Sequence, residues 1–276
     1  MPTTPDLRQI YDIALGAAEE AGRIHQDRLN FPRTIEVKSS PADAVTEVDR
    51  ACEELIVSRI VATRPDDSIV GEEGADRVGT SGVKWYIDPL DGTVNYVYRR
   101  HDFSVSIGVE VDGVPSVGVV YDSSAGEMFS AIRGQGAWLN GEPIHVSEVT
   151  DLGMALTGSG FGYSADYRIY QGKVLVRIIG RVRDLRRGGS AALELCGVAC
   201  GRLEAFFEQG INHWDAMAGV VIIREAGGIA ERIEPPEVPP RADGNGHVVV
   251  AAGTRQLYDD LRALVVRASA EALAED

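Results

Sequence analysis

Residues 85–96 have the sequence Trp85-Tyr86-Ile87-Asp88-Pro89-Leu90-Asp91-Gly92-Thr93-Val94-Asn95-Tyr96. The apolar start predicts a buried strand that ends at Pro89, because proline fixes φ and offers no backbone N–H. Asp88 would then lie at the carboxyl end of the strand, and Asp91 would return to the same small volume across the turn. The Leu90 carbonyl lies between the two acids and could point the same way.

The next residues favour anion binding. Gly92 and Thr93 offer backbone N–H groups and a hydroxyl, which are suited to hold phosphate oxygens. Carboxylates that bind a hard cation, placed beside groups that bind an anion, indicate metal-assisted phosphoryl chemistry. Read alone, however, Asp-Pro-x-Asp-Gly is as typical of an Asx-type turn followed by a loop.

The composition is that of an ordinary globular protein. The chain has 276 residues, of which 44% are hydrophobic and 25% charged, enough for one large or two modest domains. A net charge of −15 disfavours broad binding to nucleic acid or anionic membranes, although bound divalent ions can reverse the local sign for an anionic substrate. Three cysteines suit a reducing cytoplasm. No run approaches the ~20 apolar residues of a membrane helix, and residues 1–10 lack a signal-type apolar run.

Hydrophobic periodicity changes its rhythm along the chain. The first part predicts helices at 5–29 and 46–63, and strands at 68–71, 84–88, 103–111, 116–121 and 127–133, the last three as an antiparallel meander. After a change near 145–152, the pattern predicts strands at 154–158, 181–185, 204–208, 228–233 and 248–251, and helices at 164–178, 190–200, 214–226 and 254–273. Residues 234–246 are rich in proline and predict a surface excursion. We therefore expect an α+β half at 1–148 that carries most of the acids, and an α/β half at 149–276.

Four segments, in order, resemble the signature motifs of the inositol monophosphatase family. They are Asp43-Ala44-Val45-Thr46-Glu47-Val48-Asp49, Gly71-Glu72-Glu73, the stretch quoted above, and Trp214-Asp215-Ala216-Met217-Ala218-Gly219. The resemblance implies a layered αβαβα sandwich, with an antiparallel sheet in the N-terminal half, an α/β C-terminal half and the site between them. It also implies Mg²⁺-dependent hydrolysis of a phosphate monoester, with inositol 1-phosphate as the expected substrate, together with lithium sensitivity and a homodimer.

The resemblance also implies a ligand set for two or three Mg²⁺ ions. One ion would be held by Glu72, Asp88 and the Leu90 carbonyl, and a second by Asp88, Asp91 and Asp215. Independently of the family, carboxylates crowded at strand ends repel one another unless a cation neutralises them, and Mg²⁺ prefers oxygen ligands. Taken singly, Glu72 reads as a solvated loop acid and Asp215 as a helix first-turn acid.

Three residues carry the catalytic roles that the resemblance implies: Glu72, Thr93 and Asp49. Asp49 would hydrogen-bond Thr93, and the pair would orient the attacking water. Thr46 and Asp49 also fit a capping box at a helix start, and both readings can hold together. Two further residues stay open, since Glu73 is either a supporting acid or a solvated one, and Lys38 is either a phosphate-steering cation or a solvated lysine.

Substrate contacts follow from the same resemblance and are expected at Gly92, Thr93, Gly189, Ser190, Ala191, Glu208 and Asp215. Gly189 and Ser190 open a predicted helix, whose exposed N–H groups attract anions. Glu208 suits a vicinal diol, although a strand-end surface acid is the alternative. His213, as a general acid, ranks below a water activated by the metal.

Two other patterns carry less. The run Gly158-x-Gly160-x-Gly162 lacks the spacing of a nucleotide-binding loop and reads as a flexible turn. The arginines at 181, 183, 186 and 187 fit a solvated face or a phosphate-attracting rim better than a nucleic-acid patch, because no aromatic residues interleave them.

The motifs do not identify one substrate. Histidinol phosphate, fructose 1,6-bisphosphate and a nucleotide 3′-phosphate are alternatives within the same class of enzyme. A regulatory protein that binds transcription machinery is the alternative from a different class.

Overall fold

A computed structural model describes residues 5–31, 35–37, 44–235, 237–238 and 247–274. Its helices are α1 (Leu7–Arg28), α2 (Glu47–Thr63), α3 (Thr93–Val97), α4 (Ala165–Ile178), α5 (Ala191–Ala199), α6 (His213–Glu225) and α7 (Arg255–Leu273). Its strands are β1 (Ile35–Val37), β2 (Ala44–Thr46), β3 (Ser68–Gly71), β4 (Val83–Asp91), β5 (Ser104–Val111), β6 (Val114–Asp122), β7 (Glu127–Ile132), β8 (Gly136–Leu139), β9 (Glu142–Pro143), β10 (Leu156–Ser159), β11 (Asp184–Arg186), β12 (Ala205–Gln209), β13 (Ile229–Ile233) and β14 (Val248–Ala252).

Two larger sheets organise these strands. The first has the order β3-β4-β5-β6-β7-β8-β9; β3 runs parallel to β4, and the other neighbours are antiparallel. The second has the order β11-β10-β12-β14-β13, with parallel pairs around β10 and antiparallel pairs around β14. The predicted meander of β5, β6 and β7 is confirmed.

Helices cover the sheets in layers. One apolar cluster joins α1 and α2 to the first sheet. A second joins the other face of that sheet to α5, α6 and the second sheet. A third joins the second sheet to α4 and α7. The order of layers is therefore αβαβα, and the predicted fold class is confirmed. The division at 148 stays a prediction. Helix α6 of the second half packs directly on β5 and β6 of the first half.

Two glycines of the first sheet let α6 approach it closely. A Cβ atom at Gly108 would lie 2.7 Å from the Ala218 nitrogen, and one at Gly118 would overlap the Ala218 carbonyl oxygen. Only hydrogen at these positions leaves room for the helix backbone. Helix α6, whose first turn carries Asp215, is thereby held against β6 and against β5, the strand that pairs with Asp88.

The predicted end of the β4 strand at Pro89 is wrong, since β4 continues to Asp91. The ladder with β5 shifts its register between Asp88 and Asp91. A proline is tolerated at such an irregularity because no ladder hydrogen bond needs its missing N–H. This shift in register also changes the direction of the backbone between Asp88 and Asp91, at the end of β4.

Several short elements were not predicted, among them β1, β2, the β8–β9 hairpin and α3. The β8–β9 hairpin turns at Asn140 and Gly141, both with positive φ, which is the Asn-Gly turn that such hairpins favour. Helix α3 is only five residues long, too short to show a helical period. Lys38, Asp43 and most of the proline-rich segment 234–246 lie outside the described residues.

None of the described helices combines the length and the apolar character that a membrane span needs.

Candidate active site

Asp88 and Glu72 meet because β3 and β4 are parallel neighbours. Gly71 pairs with Ile87, and the Glu72 N–H donates to the Ile87 carbonyl over 3.1 Å. Asp88 is only 2% exposed, and its carboxyl shares a hydrogen bond with that of Glu72. Burial, followed by the charges of Glu72, Asp91 and Asp215, raises the pKa of Asp88 well above its usual range. Two carboxyl groups this close need a shared proton or a cation between them.

Asp91 joins the two halves of the chain. Its Oδ2 accepts from the Ser190 hydroxyl over 2.6 Å and from the Ala192 N–H over 2.8 Å. Ser190 is itself the N-cap of α5, so the acid lies at the positive end of that helix. Burial raises the pKa of Asp91, and these hydrogen bonds oppose the rise.

Asp215 has the first-turn position in α6 that the sequence allowed. It forms a capping box with Asn212, whose N–H donates to Asp215 Oδ2 over 2.6 Å. Burial and the charges of Asp91 and Glu72 raise its pKa well above the usual range. The helix-capping and acid-centre readings therefore hold together.

Asp49 also combines a structural bond with a contact to the site. Thr46 and Asp49 form the predicted capping box of α2. The other oxygen of Asp49 lies 3.2 Å from the Thr93 hydroxyl, which also lies 2.9 Å from the Leu90 carbonyl oxygen. Burial raises the pKa of Asp49 to about 7. The expected Asp49–Thr93 contact is present, and the same Thr93 hydroxyl also contacts the Leu90 carbonyl oxygen.

A cavity of about 360 Å³ opens beside these acids. Its lining includes Asp91, Asp215, Gly189, Ser190, Ala191 and Glu208. Burial, with the Asp91 charge next, raises the pKa of Glu208 to about 8. The predicted substrate contacts of the second half therefore share one cavity with two of the predicted metal ligands.

Gly92 and Thr93 are placed differently from the other substrate contacts, because neither lines this cavity. The Gly92 N–H donates to Asp91. The φ of Gly92 is 85°, and a Cβ there would lie 2.7 Å from the Asp102 carbonyl oxygen. Glycine is required here by backbone conformation and space, whatever its amide binds.

Some predicted candidates stay apart from the cavity. His213 stacks on Tyr86, with 5.4 Å between the ring centroids, and is absent from the cavity lining. Glu73 is likewise absent from it; its N–H donates over 2.9 Å to the buried carboxylate of Glu53. Glu53, which sequence reasoning missed, also accepts from Ala75 and fixes this loop.

Two lining residues were also missed as site residues. Tyr163 is 47% exposed, yet burial of its phenol and the charges of Asp215, Glu72, Asp91 and Asp88 raise its pKa. Arg187 is the cation in the described lining; from the sequence it was expected only in a solvated face or a phosphate-attracting rim. The glycine run before Tyr163 reads as a turn, and Gly158 in fact lies in β10. The loop that follows is held by the Gly162 N–H, which donates to Gln171 over 2.8 Å.

The acids suit a hard cation by their chemistry. All are oxygen donors, and the charges of Glu72, Asp91 and Asp215 each raise the pKa of Asp88. A divalent ion removes that repulsion. The described part of the chain contains no three His, Cys, Asp or Glu side chains already arranged as a metal-ligand set, and one oxygen each of Asp91 and Asp215 accepts backbone N–H groups. The donor set therefore fits Mg²⁺ in kind.

Known proteins share this architecture. The family model described as "Inositol monophosphatase family" matches residues 6–270. "Inositol-1-monophosphatase SuhB" of Mycobacterium tuberculosis is 44% identical over 242 residues, which cover 84% of this chain and 81% of that protein. "Nus factor SuhB" of Escherichia coli K12 is 40% identical over 226 residues, covering 81% and 85%.

A solved structure agrees with them. The extragenic suppressor protein suhB from Bartonella henselae superposes with a TM-score of 0.83 at 28% identity, covering 93% of this chain and 98% of that one. Since the family model spans nearly the whole chain and the fold agrees, this chain belongs to the inositol monophosphatase family.

Proposed function

We propose that the chain is a Mg²⁺-dependent phosphate monoester hydrolase, with inositol 1-phosphate as the substrate we favour. The observation that carries the proposal is the convergence of Asp88, Asp91 and Asp215 beside a cavity that also holds Glu208 and the start of α5. A buried acid cluster serves a divalent ion, and a helix N-terminus serves a phosphate. The name of the mycobacterial relative supports the choice of substrate.

The residues that would hold two or three Mg²⁺ ions are Glu72, Asp88, the Leu90 carbonyl, Asp91 and Asp215. When bound, Mg²⁺ would lower the pKa of the attacking water and stabilise negative charge on the phosphoryl and leaving oxygens. The protein contributes the rest by position. Thr93 and Asp49, 3.2 Å apart, would orient the water and accept its hydrogen.

The substrate would bind across the two halves. The Thr93 N–H would bind a phosphoryl oxygen, and the positive end of α5 would attract the phosphate charge; the N–H groups of Gly92 and Ala192 already donate to Asp91. Gly189, Ser190, Ala191 and Glu208 would face the alcohol, since they line the same cavity as Asp91 and Asp215. Glu208, with a pKa near 8, can donate one hydrogen bond to a diol and accept another.

Replacing Glu208 by leucine should lower kcat/KM for inositol 1-phosphate by about 10- to 100-fold, because losing a buried partner costs ~1–3 kcal/mol. Hydrolysis of p-nitrophenyl phosphate should change little, since its leaving group has no diol. Glu208→Gln should retain more activity on inositol 1-phosphate than Glu208→Leu, because the amide also donates and accepts.

The ratio of the two activities is the measurement. An equal fall on both substrates would show that Glu208 supports the acids or the fold. No fall on either would make a cyclitol the wrong substrate, and histidinol phosphate, fructose 1,6-bisphosphate and a nucleotide 3′-phosphate would be assayed next.

Lithium should inhibit hydrolysis at saturating Mg²⁺. The predicted acid set, of which Asp91 and Asp215 line the cavity, would hold Li⁺ in place of one Mg²⁺. A lithium chloride series is compared with potassium chloride at equal ionic strength, because salt alone screens charges. Equal curves for the two salts would contradict the prediction.

A second candidate is a regulatory role through binding to transcription machinery. The observation that favours it is the name "Nus factor SuhB", carried by relatives at 40% identity. The test replaces the chromosomal gene with one that encodes Asp88→Asn. A phenotype like that of the null strain supports the enzyme alone, whereas a wild-type phenotype supports a role that needs no turnover.

The homodimer implied by the family resemblance stays a prediction.

A further inference from the structure

The last buried residue on the inward face of α1 is a histidine, His25. The preceding inward residues are small or apolar, among them Ala14, Ala17 and Ala21. His25 follows on the same face and is fully buried, with its ring against those of Tyr96 and Phe103 at 5.8 and 6.0 Å between centroids. A buried imidazole needs partners for both nitrogens, so its hydrogen bonds define what it does.

The hydrogen bonds of His25 fix its tautomer. Nε2 lies 2.9 Å from the Pro89 carbonyl oxygen, which can only accept, so Nε2 carries the hydrogen. Nδ1 lies 2.8 Å from the Ser123 hydroxyl, which must therefore donate to it. Burial lowers the pKa of His25 to about 4, in agreement with a neutral ring that has one donor and one acceptor.

The bond to Pro89 controls an entire peptide unit. The Pro89 carbonyl and the Leu90 N–H belong to the same rigid plane. While His25 holds the carbonyl, the Leu90 N–H on the opposite edge donates to Asp88 Oδ1 over 2.9 Å. Rotation of this plane would break both bonds together. The irregular step in β4 lies here, so the sheet ladder does not fix the plane.

The same helix holds the far end of the segment. The Tyr96 hydroxyl donates to the His25 backbone carbonyl over 2.9 Å. The stretch between Asp88 and Tyr96, which includes Asp91 and Thr93, is therefore fastened to α1 at both ends.

We propose that His25 is a positioning residue for the acid centre: through the Pro89–Leu90 peptide it sets the direction of the Asp88 carboxylate oxygens. The inference rests on the proposed function in one respect, namely that these oxygens hold Mg²⁺. Groups that orient metal ligands typically contribute about 10- to 100-fold to metal affinity. His25 contacts neither acid itself, so its effect must pass through the peptide.

The test compares variants of the full chain. His25→Leu removes the donor to Pro89, whereas His25→Gln keeps an N–H at a similar reach. Tyr11→Phe is the matched control, because Tyr11 is a buried residue of the same helix whose hydroxyl lies 3.0 Å from Ser130 Oγ, in a different part of the core. Ser123→Ala is the milder second variant if His25→Leu fails to fold.

Two measurements, compared with the melting temperature of each variant, separate position from stability. Hydrogen–deuterium exchange of the Leu90 amide in metal-free protein should quicken by about tenfold in His25→Leu, in line with the loss of one buried hydrogen bond. Calorimetric Mg²⁺ affinity without substrate should fall about tenfold or more. Both should be near wild type in His25→Gln and Tyr11→Phe, although Tyr11→Phe lowers the melting temperature. Ser123→Ala should shift both values in the same direction as His25→Leu, by less.

Unchanged exchange and affinity in His25→Leu, or in Ser123→Ala where only that variant folds, would overturn the inference. Equal losses in His25→Leu and Tyr11→Phe would also overturn it, since the effect would then be one of stability. If wild type binds no Mg²⁺ but its variants show the exchange pattern, the proposed function fails while the positioning by His25 stands.

Discussion

Asp88→Asn is expected to lower kcat by about a thousandfold or more while the protein stays folded. The loss corresponds to ~4 kcal/mol of transition-state stabilisation, within what metal-ion charge supplies. In the proposed ligand set Asp88 serves both ions, so its loss weakens both. Asparagine keeps the oxygen that accepts from the Leu90 N–H, so the local backbone should be preserved.

The same variant should be more stable than wild type in the absence of metal. Asp88 lies in a cluster where the charges of Glu72, Asp91 and Asp215 raise its pKa, and the neutral amide removes that repulsion. Adding Mg²⁺ should raise the melting temperature of wild type more than that of Asp88→Asn, because a ligand stabilises the fold it binds.

Asp122→Asn is the matched control. Asp122 is also a buried acid of the first sheet with a raised pKa, caused chiefly by burial. Its Oδ1 accepts from Ser124 and Ala125, bonds that asparagine can keep, and it lies outside the proposed ligand set. Near-normal turnover by Asp88→Asn at saturating Mg²⁺ would refute the acid centre as the metal site.

Thr93→Val is expected to lower kcat by about a hundredfold at nearly unchanged KM. Valine keeps the shape of threonine but lacks the hydroxyl, which lies 2.9 Å from the Leu90 carbonyl oxygen and 3.2 Å from Asp49. A hydroxyl has one hydrogen to donate and can also accept, which suits a relay between a water and Asp49. Positioned proton transfer typically contributes about 10²- to 10⁴-fold.

Thr93→Ser provides the rescue, because serine restores the hydroxyl on a smaller side chain. The measurement is kcat and KM for both variants at saturating Mg²⁺. If serine and valine were equally impaired, the methyl group and its packing would matter, and the proposed role of the hydroxyl would be wrong.

Local patterns predicted where the single acids lie, because each lies where a strand ends or a helix begins; their grouping as one metal-ligand set came from the family resemblance and stays a prediction. Glu72 follows β3 directly, Asp88 and Asp91 lie in the last residues of β4, and Asp215 lies in the first turn of α6. A sequence pattern reveals such endings through glycine, proline and capping residues. The structure adds that β3 and β4 are parallel, which makes Glu72 and Asp88 neighbours.

The remaining contacts depend on packing between distant parts of the chain. Asp91 and Ser190 are 99 positions apart, and His25 and Pro89 are 64 apart. No period or spacing in the sequence relates such residues, because their contact is fixed only when the layers close. Tyr163 is another residue that no sequence pattern identifies, since only the folded chain brings its loop to the cavity that Asp215 also lines. The Asn140-Gly141 hairpin is different, because its signal was local and could have been used.

The two glycines under α6 have an evolutionary consequence. Contact between backbones cannot be adjusted by exchanging one rotamer for another, so Gly108 and Gly118 make the spacing between the acid on α6 and those on β4 a fixed dimension of the fold. Descendants of this chain can change the residues facing the alcohol, such as Tyr163, Arg187 and Glu208, without altering that dimension. Diversification of substrate preference should therefore accumulate around the cavity mouth, while alanine at either glycine would alter the spacing of the acids for every substrate alike.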